Sequence, residues 1–320
     1  MMVDNTPFFI VGAGRSGTTL LRLILAGHSR LHVPPETWFI RPLVEELPLT
    51  GPLTRDQVER AASLMVQDYR WPDMEITAED LRLSAAELSD PSLVDIINIV
   101  YRRQLAASGK QRFGDKTPIY IHIIPQLLTL YPGAKFIHLI RDGRDVAISN
   151  IDVDWDRYYE RANFEWTQAM ERRRQYWDSP CQAQILEVRY EDLVSELETT
   201  VRRICTFLSE SFEPAMLKWQ HLTALVPHRE HHIHHKLTQP IAGDAVAVWR
   251  RKLNALECFA IESCLHDDLR QLGYPLRYSS TLWRPLLHTT GRLFYAAAPF
   301  LGRGTRYLKR HNLLAKQAYI

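Results

Sequence analysis

Phe8-Phe9-Ile10-Val11-Gly12-Ala13-Gly14-Arg15-Ser16-Gly17-Thr18-Thr19 is the stretch that decides the fold. Four apolar residues of strand type run into a glycine-rich turn, and an apolar helix opens around Leu20. Glycines in such a turn let backbone N–H groups close on an anion, and the positive end of the new helix faces the same point. The turn is therefore read as a phosphate cradle.

Its spacing, Gly12-x-x-x-x-Gly17, copies a nucleotide-binding P-loop, but Thr18 stands where that motif carries lysine. A triphosphate site needs that cation, with a metal, at the β- and γ-phosphates. This loop offers Arg15, the hydroxyls of Ser16, Thr18 and Thr19, and the amides from Gly14 to Thr19. That set suits a less charged, diester-like anion without magnesium. A P-loop nucleotide or small-molecule kinase is the rival reading, weakened by the absent lysine.

Downstream, strand-like runs alternate with helical ones. A short strand at Arg112–Gly114 leads into Asp115-Lys116-Thr117-Pro118, where Pro118 suits the first turn of a helix. Lys135–Ile140 reads as a central parallel strand, and Gln184–Tyr190 as another. Ser195-x-x-Glu198 has the spacing of a capping box, followed by one apolar face of Leu197, Val201, Ile204 and Leu208. The alternation predicts an α/β fold: a P-loop-like, three-layer arrangement with a central parallel sheet. Residues 41–110 read as a helical cap over the acceptor region. Ligands in such sheets bind beyond the carboxyl ends of the strands. Gly12–Thr19, Asp115–Pro118 and Arg141–Ser149 all fall there.

In the last of these, Arg141 leaves its strand and Ser149 lies on the following helix, so a guanidinium fork and a hydroxyl can converge on one phosphate. Pairing of Arg141 with Asp142 or Asp145 is the alternative. Two anion sites on one sheet edge would suit a ligand phosphorylated at two distant places.

With these motifs in this order, the sequence resembles the sulfotransferases that use 3′-phosphoadenosine 5′-phosphosulfate (PAPS), and within them the branch of tyrosylprotein and many bacterial enzymes. By that resemblance Gly14, Arg15, Ser16, Gly17, Thr18 and Thr19 hold the 5′-phosphosulfate, and Arg141 and Ser149 the 3′-phosphate. Val188-Arg189-Tyr190-Glu191-Asp192-Leu193 resembles another recurrent segment, implying that Tyr190 contacts the cofactor near its adenosine. A loop lysine, here Lys236, is the counterpart of a further cofactor-binding residue, although its surroundings depart from the pattern. Pro34-Pro35-Glu36-Thr37 replaces the branch's Gly-Glu-Glu-Thr and makes Glu36 the implied general base. Lys116 and Arg15 are implied to stabilise the transferring group and the departing phosphate. Pro118 occupies the place of the histidine base of cytosolic sulfotransferases, so that version does not transfer.

The rest of the chain limits the partners. It has 320 residues, 46% hydrophobic and 24% charged, with a formal net charge of +2. Such a balance gives no reason to expect a nucleic-acid polymer. The four cysteines, at 181, 205, 258 and 264, form no Cys-x-x-Cys pair. They are read as reduced thiols in a cytoplasmic protein. No signal peptide or spanning segment is recognised. His228–His235 contains five histidines; with no companion acidic or cysteine segment it is read as a loop over the cofactor, and no metal is expected. Residues 1–278 are read as the catalytic domain and 279–320 as a helical, basic and amphipathic tail able to touch an anionic membrane surface. The acceptor is expected to be a carbohydrate, lipid or small metabolite bearing a hydroxyl. A non-catalytic, membrane-associated binding protein on the same fold is the remaining alternative.

Overall fold

β1 (Phe8–Gly12) is buried along its whole length, so strands must flank it on both sides and layers must cover both its faces. The computed structural model describes residues 6–153, 159–234, 237 and 245–278. They form two compact units. Met1–Arg141 with Glu171–Gly243 make up the first, and Asp142–Met170 with Asp244–Ile320 the second. The tail from residue 279 and Lys236 lie outside the described residues.

In the first unit, β1 leads through the glycine turn into α1 (Thr18–Ala26), then β2 (Leu31–His32). Four helices follow: α2 (Ile40–Glu46), α3 (Arg55–Val66), α4 (Ala78–Ala86) and α5 (Leu93–Ser108). The last three start at capping boxes, Thr54 with Gln57, Thr77 with Asp80 and Ser92 with Asp95, which satisfy amide groups the first helical turn leaves open. β3 (Arg112–Lys116) reaches two residues further than the apolar pattern suggests, placing Asp115 and Lys116 on the strand itself. A 3-10 turn at Pro118–Ile123 precedes α6 (Ile124–Leu130), and β4 (Lys135–Ile140) follows. The sheet is completed by β5 (Ile185–Arg189) in the order β2-β3-β1-β4-β5, every pair parallel.

Side chains alternate across this sheet. Phe8, Ile10, Ile137 and Leu139 share a core with α1. Phe9 stacks on Phe136 and tilts against Tyr131 on the other face. α9 (Tyr190–Ser195) and α10 (Leu197–Leu208) follow β5; Val201, Ile204 and Leu208 are buried in the α1 core. The expected Ser195–Glu198 capping box does not form. Ser195 ends α9 and its hydroxyl donates back to the Glu191 carbonyl, while α10 begins at Leu197 with Glu196 at the N-cap and no side-chain cap. A helix ending where the box should begin removes the extended N-cap that the motif requires.

The second unit holds α7 (Gly143–Asp152), the first part of α8 (Tyr159–Trp177), α11 (Trp249–Lys252) and α12 (Ala255–Gln271). Arg144, fully buried, is its hub. It donates to Asp142 at 2.9 and 2.7 Å, pairs with the fully buried Glu262, and lies 3.7 Å from the Trp249 ring centroid. Glu262 also accepts the amides of Arg277 and Tyr278 at 3.0 and 3.1 Å. Removing one member of such a pair strands a charge in a low-dielectric interior. Glu262→Ala is therefore expected to cost about 3–5 kcal/mol of unfolding free energy. Glu198→Ala, which deletes the exposed partner of Arg202 on α10, is expected to cost at most about 1 kcal/mol. Urea unfolding of the two variants checks the contrast; equal losses would contradict it.

Candidate functional site

The turn after β1 has the backbone that an anion cradle needs. Gly12 and Gly17 take φ of 148° and 94°. A Cβ on Gly12 would lie 2.5 Å from the Leu139 carbonyl, and one on Gly17 would run into the Tyr190 ring. Arg15 also adopts positive φ, 63°, a conformation that non-glycine residues hold only when their surroundings impose it. α1 starts at Gly17 with no side-chain cap, so its first amides are open to a ligand. The Ser16 hydroxyl is buried and has no hydrogen-bond partner among the described residues. An unmet buried polar atom beside open helix amides fits an anionic group.

Arg141, just past β4, donates to the Arg15 carbonyl at 3.0 Å, and its guanidinium lies 4.5 Å from the Tyr190 ring centroid. Asp142 takes the other role in this corner, capping α7 and holding Arg144. Tyr190 thus backs both the glycine turn and Arg141. Ser149 lies on α7 in the second unit.

Lys116 ends β3, next to Ile10 on β1. Its ammonium is almost wholly buried; it lies 3.3 Å from Thr19 Oγ1 and 2.6 Å from Glu36 Oε1. Trp38 donates its indole N–H to Glu36 Oε2 at 2.5 Å, so both carboxylate oxygens are held. Trp38 itself sits at φ 54°, with the Arg70 guanidinium 4.4 Å from its ring centroid. About 19% of the Glu36 side chain remains exposed. Burial pushes the Glu36 carboxyl up, but the Lys116 charge, hydrogen bonds from Lys116 and Trp38 and the charge of Arg70 more than reverse this, leaving it below the ordinary value. Glu36 is thus ionised at neutral pH.

The histidine-rich segment meets the cradle. Arg15 donates to the Ile233 carbonyl at 2.9 Å, and His234 Nε2 lies 3.5 Å from Thr19 Oγ1. Burial, then the charges of Arg15, Lys116, Arg22 and His232, push His234 down to about 3. It is a neutral imidazole beside three cations, able to hydrogen-bond there without adding charge. Arg22, one turn after Thr19, is buried against the carbonyls of Val33 and Leu225; burial pushes it down to about 10 against the opposing charges of Glu230, Glu36 and Asp73. Glu36, Lys116, Arg15, Ser16, Gly17, Thr18 and Thr19 therefore gather at the strand ends of the first unit. Trp38, Arg22 and His234 join them without having been singled out from the sequence. Trp38 two residues after Glu36 was the available signal. For His234 the signal was the reading of its segment as a loop over the cofactor; Arg22 had none, since only the fold brings it there. Among the described residues, no cluster of histidine, cysteine or acidic side chains has the makings of a metal site, and no helix is long and apolar enough to cross a membrane.

Comparison with known proteins bears on the family and the fold. The sequence profile of the Sulfotransferase family matches residues 7–214. Protein-tyrosine sulfotransferase A of Caenorhabditis elegans is 25% identical over 284 residues, 84% of this chain and 68% of that protein. Nodulation protein NoeE of Sinorhizobium fredii is 31% identical over 148 residues, 44% of this chain and 30% of NoeE. An uncharacterized Aquifex aeolicus protein is 26% identical over 225 residues, 68% of this chain and 27% of that protein. The chain thus spans less than a third of the length of the last two. The sulfotransferase domain of the curacin biosynthetic pathway has the same fold, with a TM-score of 0.62 over 86% of this chain and 100% of that domain at 22% identity. The sulfotransferase domain of the Synechococcus PCC 7002 olefin synthase gives 0.59 over 86% and 98% at 25% identity.

The Lys116–Glu36 pair yields a titration test. With Lys116→Met, burial of Glu36 is no longer opposed by its largest counter-charge, so the Glu36 pKa is expected to rise. Carbon-13 NMR of labelled glutamate reads it directly. An unmoved pKa would show that Lys116 does not set it.

Proposed function

Because the chain belongs to the Sulfotransferase family, we propose that it transfers a sulfuryl group from PAPS to an acceptor hydroxyl, with Glu36 as general base. The observation that carries this reading is the pairing of Glu36 with a buried Lys116 at 2.6 Å beside Thr19 of the cradle. The donor, when bound, supplies the sulfuryl group and a phosphate leaving group. Everything else is work for this chain's own residues.

The open amides of α1, the Ser16 hydroxyl and Arg15 would hold the 5′-phosphosulfate, and Thr18 and Thr19 add hydroxyls. Arg141 and Ser149 take the 3′-phosphate, Tyr190 lies against the adenosine side, and Lys236 closes the set as the resemblance implies. Lys116, within reach of Thr19, neutralises charge growing on the bridging oxygen. Glu36 takes the acceptor proton as the new bond to oxygen forms. Its depressed pKa makes it a weak base while Lys116 is paired with it. When the ammonium turns toward the leaving oxygen, Glu36 loses its main counter-charge and becomes more basic at the moment the proton must move. The acceptor class stays broad: carbohydrate, lipid or small metabolite. The basic tail after residue 278 and a cytoplasmic setting belong to the same reading.

Two sets of measurements test it. Glu36→Gln is expected to lower kcat by about 10²-fold or more while leaving affinity for 3′,5′-adenosine bisphosphate (PAP) nearly unchanged. Arg141→Ala is expected to do the reverse, weakening PAP with a smaller effect on kcat. Near-normal turnover in Glu36→Gln would remove that residue from its role. In thermal denaturation, PAP rather than ATP with magnesium is expected to raise Tm; the opposite preference would favour the kinase.

A further inference from the structure

Beneath the Glu36–Lys116 pair lies a closed set of buried hydroxyls converging on one carboxylate. Asp115 Oδ2 accepts from Thr37 Oγ1 at 2.7 Å and from the Tyr101 hydroxyl at 3.1 Å, and Oδ1 accepts from Thr117 Oγ1 at 2.9 Å. The Thr37 amide donates to Thr117 Oγ1 at 3.1 Å. Thr37 Oγ1 is 2.8 Å from the Tyr120 hydroxyl, which accepts the Ile40 amide at 3.0 Å. All five side chains are buried.

The direction of each bond follows from the proton inventory. Thr37 has one hydroxyl proton and gives it to Asp115, so Tyr120 must donate to Thr37 while accepting from Ile40. Thr117 gives its proton to Asp115 and accepts from the Thr37 amide. Three hydroxyl donors therefore point at Asp115, a pattern that an ionised carboxylate satisfies and a carboxamide does not, because its NH₂ side is donor-only. Burial, with the Glu36 charge adding to it, pushes Asp115 up to about 6 against the three hydrogen bonds; the carboxylate is therefore ionised at neutral pH despite its surroundings.

A charge placed this deep, with so many groups committed to it, needs a reason. Thr37 is the chain neighbour of Glu36, and Asp115 and Thr117 flank Lys116. Resting on the function proposed above, we infer that Asp115 is a positioning residue for transfer: its carboxylate pins the loop bearing Glu36 to the end of the strand bearing Lys116. It touches neither donor nor acceptor. It fixes the distance between the two groups that do, and a shift of an ångström there is enough to lower a rate substantially.

The test uses the full-length chain with PAPS and an acceptor chosen from a panel of alcohols and phenols, alongside calorimetric titration with PAP and thermal denaturation. Asp115→Asn and Thr37→Val are expected to lower kcat by about tenfold or more with PAP affinity within about twofold of wild type. Thr37→Ser, which keeps the hydroxyl, is expected to restore most of the rate. If Asp115→Asn does not fold, Thr37→Val, which keeps the buried carboxylate, decides the matter. Wild-type rates in both variants, or PAP affinity that falls in step with kcat, would overturn the inference and leave the network a purely structural one. A wild-type chain that neither binds PAP nor consumes PAPS overturns the sulfotransferase reading instead, and this inference with it.

Discussion

An ammonium group cannot be left unpaired in a protein interior, and the first unit is organised around that constraint. Lys116 is carried into the sheet by β3 and buried next to Thr19. Its charge is answered by Glu36 from the loop after β2. Each group offsets part of the other's desolvation, and the Lys116 charge is the largest of the effects that hold Glu36 below its ordinary value. The arrangement is also unfinished in a useful sense. α1 has no side-chain cap, and Lys116 lies 3.3 Å from Thr19 Oγ1 on that helix, so on the proposed function an anion bound at the cradle would compete with Glu36 for the same ammonium. On the function proposed above, donor binding and the basicity of Glu36 are coupled through one nitrogen atom.

The electrostatic surroundings serve the same end. Arg15 and Lys116 flank the cradle and Arg22 lies behind it, yet the nearest histidine, His234, is kept neutral by burial and by those cations. It can hydrogen-bond at the site without raising a positive charge that is already high. Trp38 holds the second oxygen of Glu36 with a donor that carries no net charge, and the Arg70 guanidinium lies against its ring. Two non-glycine residues of this site, Arg15 and Trp38, hold positive φ.

Much of this could be read from the order of residues. The glycine turn, the strand runs at β1 and β4 and the position of Lys116 are local features, written in periodicity and in residue type. The parallel sheet followed from the alternation of strand and helix. What escaped were consequences of the fold. Asp115 looks like the neighbour of a surface lysine until the sheet and α5 bury it among Tyr101, Thr37 and Thr117. His234 resembles an incidental member of a histidine run until the chain returns it to Thr19, 215 residues away. The Ser195–Glu198 pattern was a true local signal that lost to a competing one, since α9 already occupies the residue that should have been its N-cap.

The most direct test of the central claim is a crystal structure of the chain with PAP. The account predicts the 5′-phosphate against the amides of residues 14–19 and the Ser16 hydroxyl, with the Lys116 ammonium drawn from Glu36 to within about 3 Å of a phosphate oxygen. A nucleotide bound elsewhere, or a Lys116–Glu36 pair left intact with the phosphate out of its reach, would contradict it.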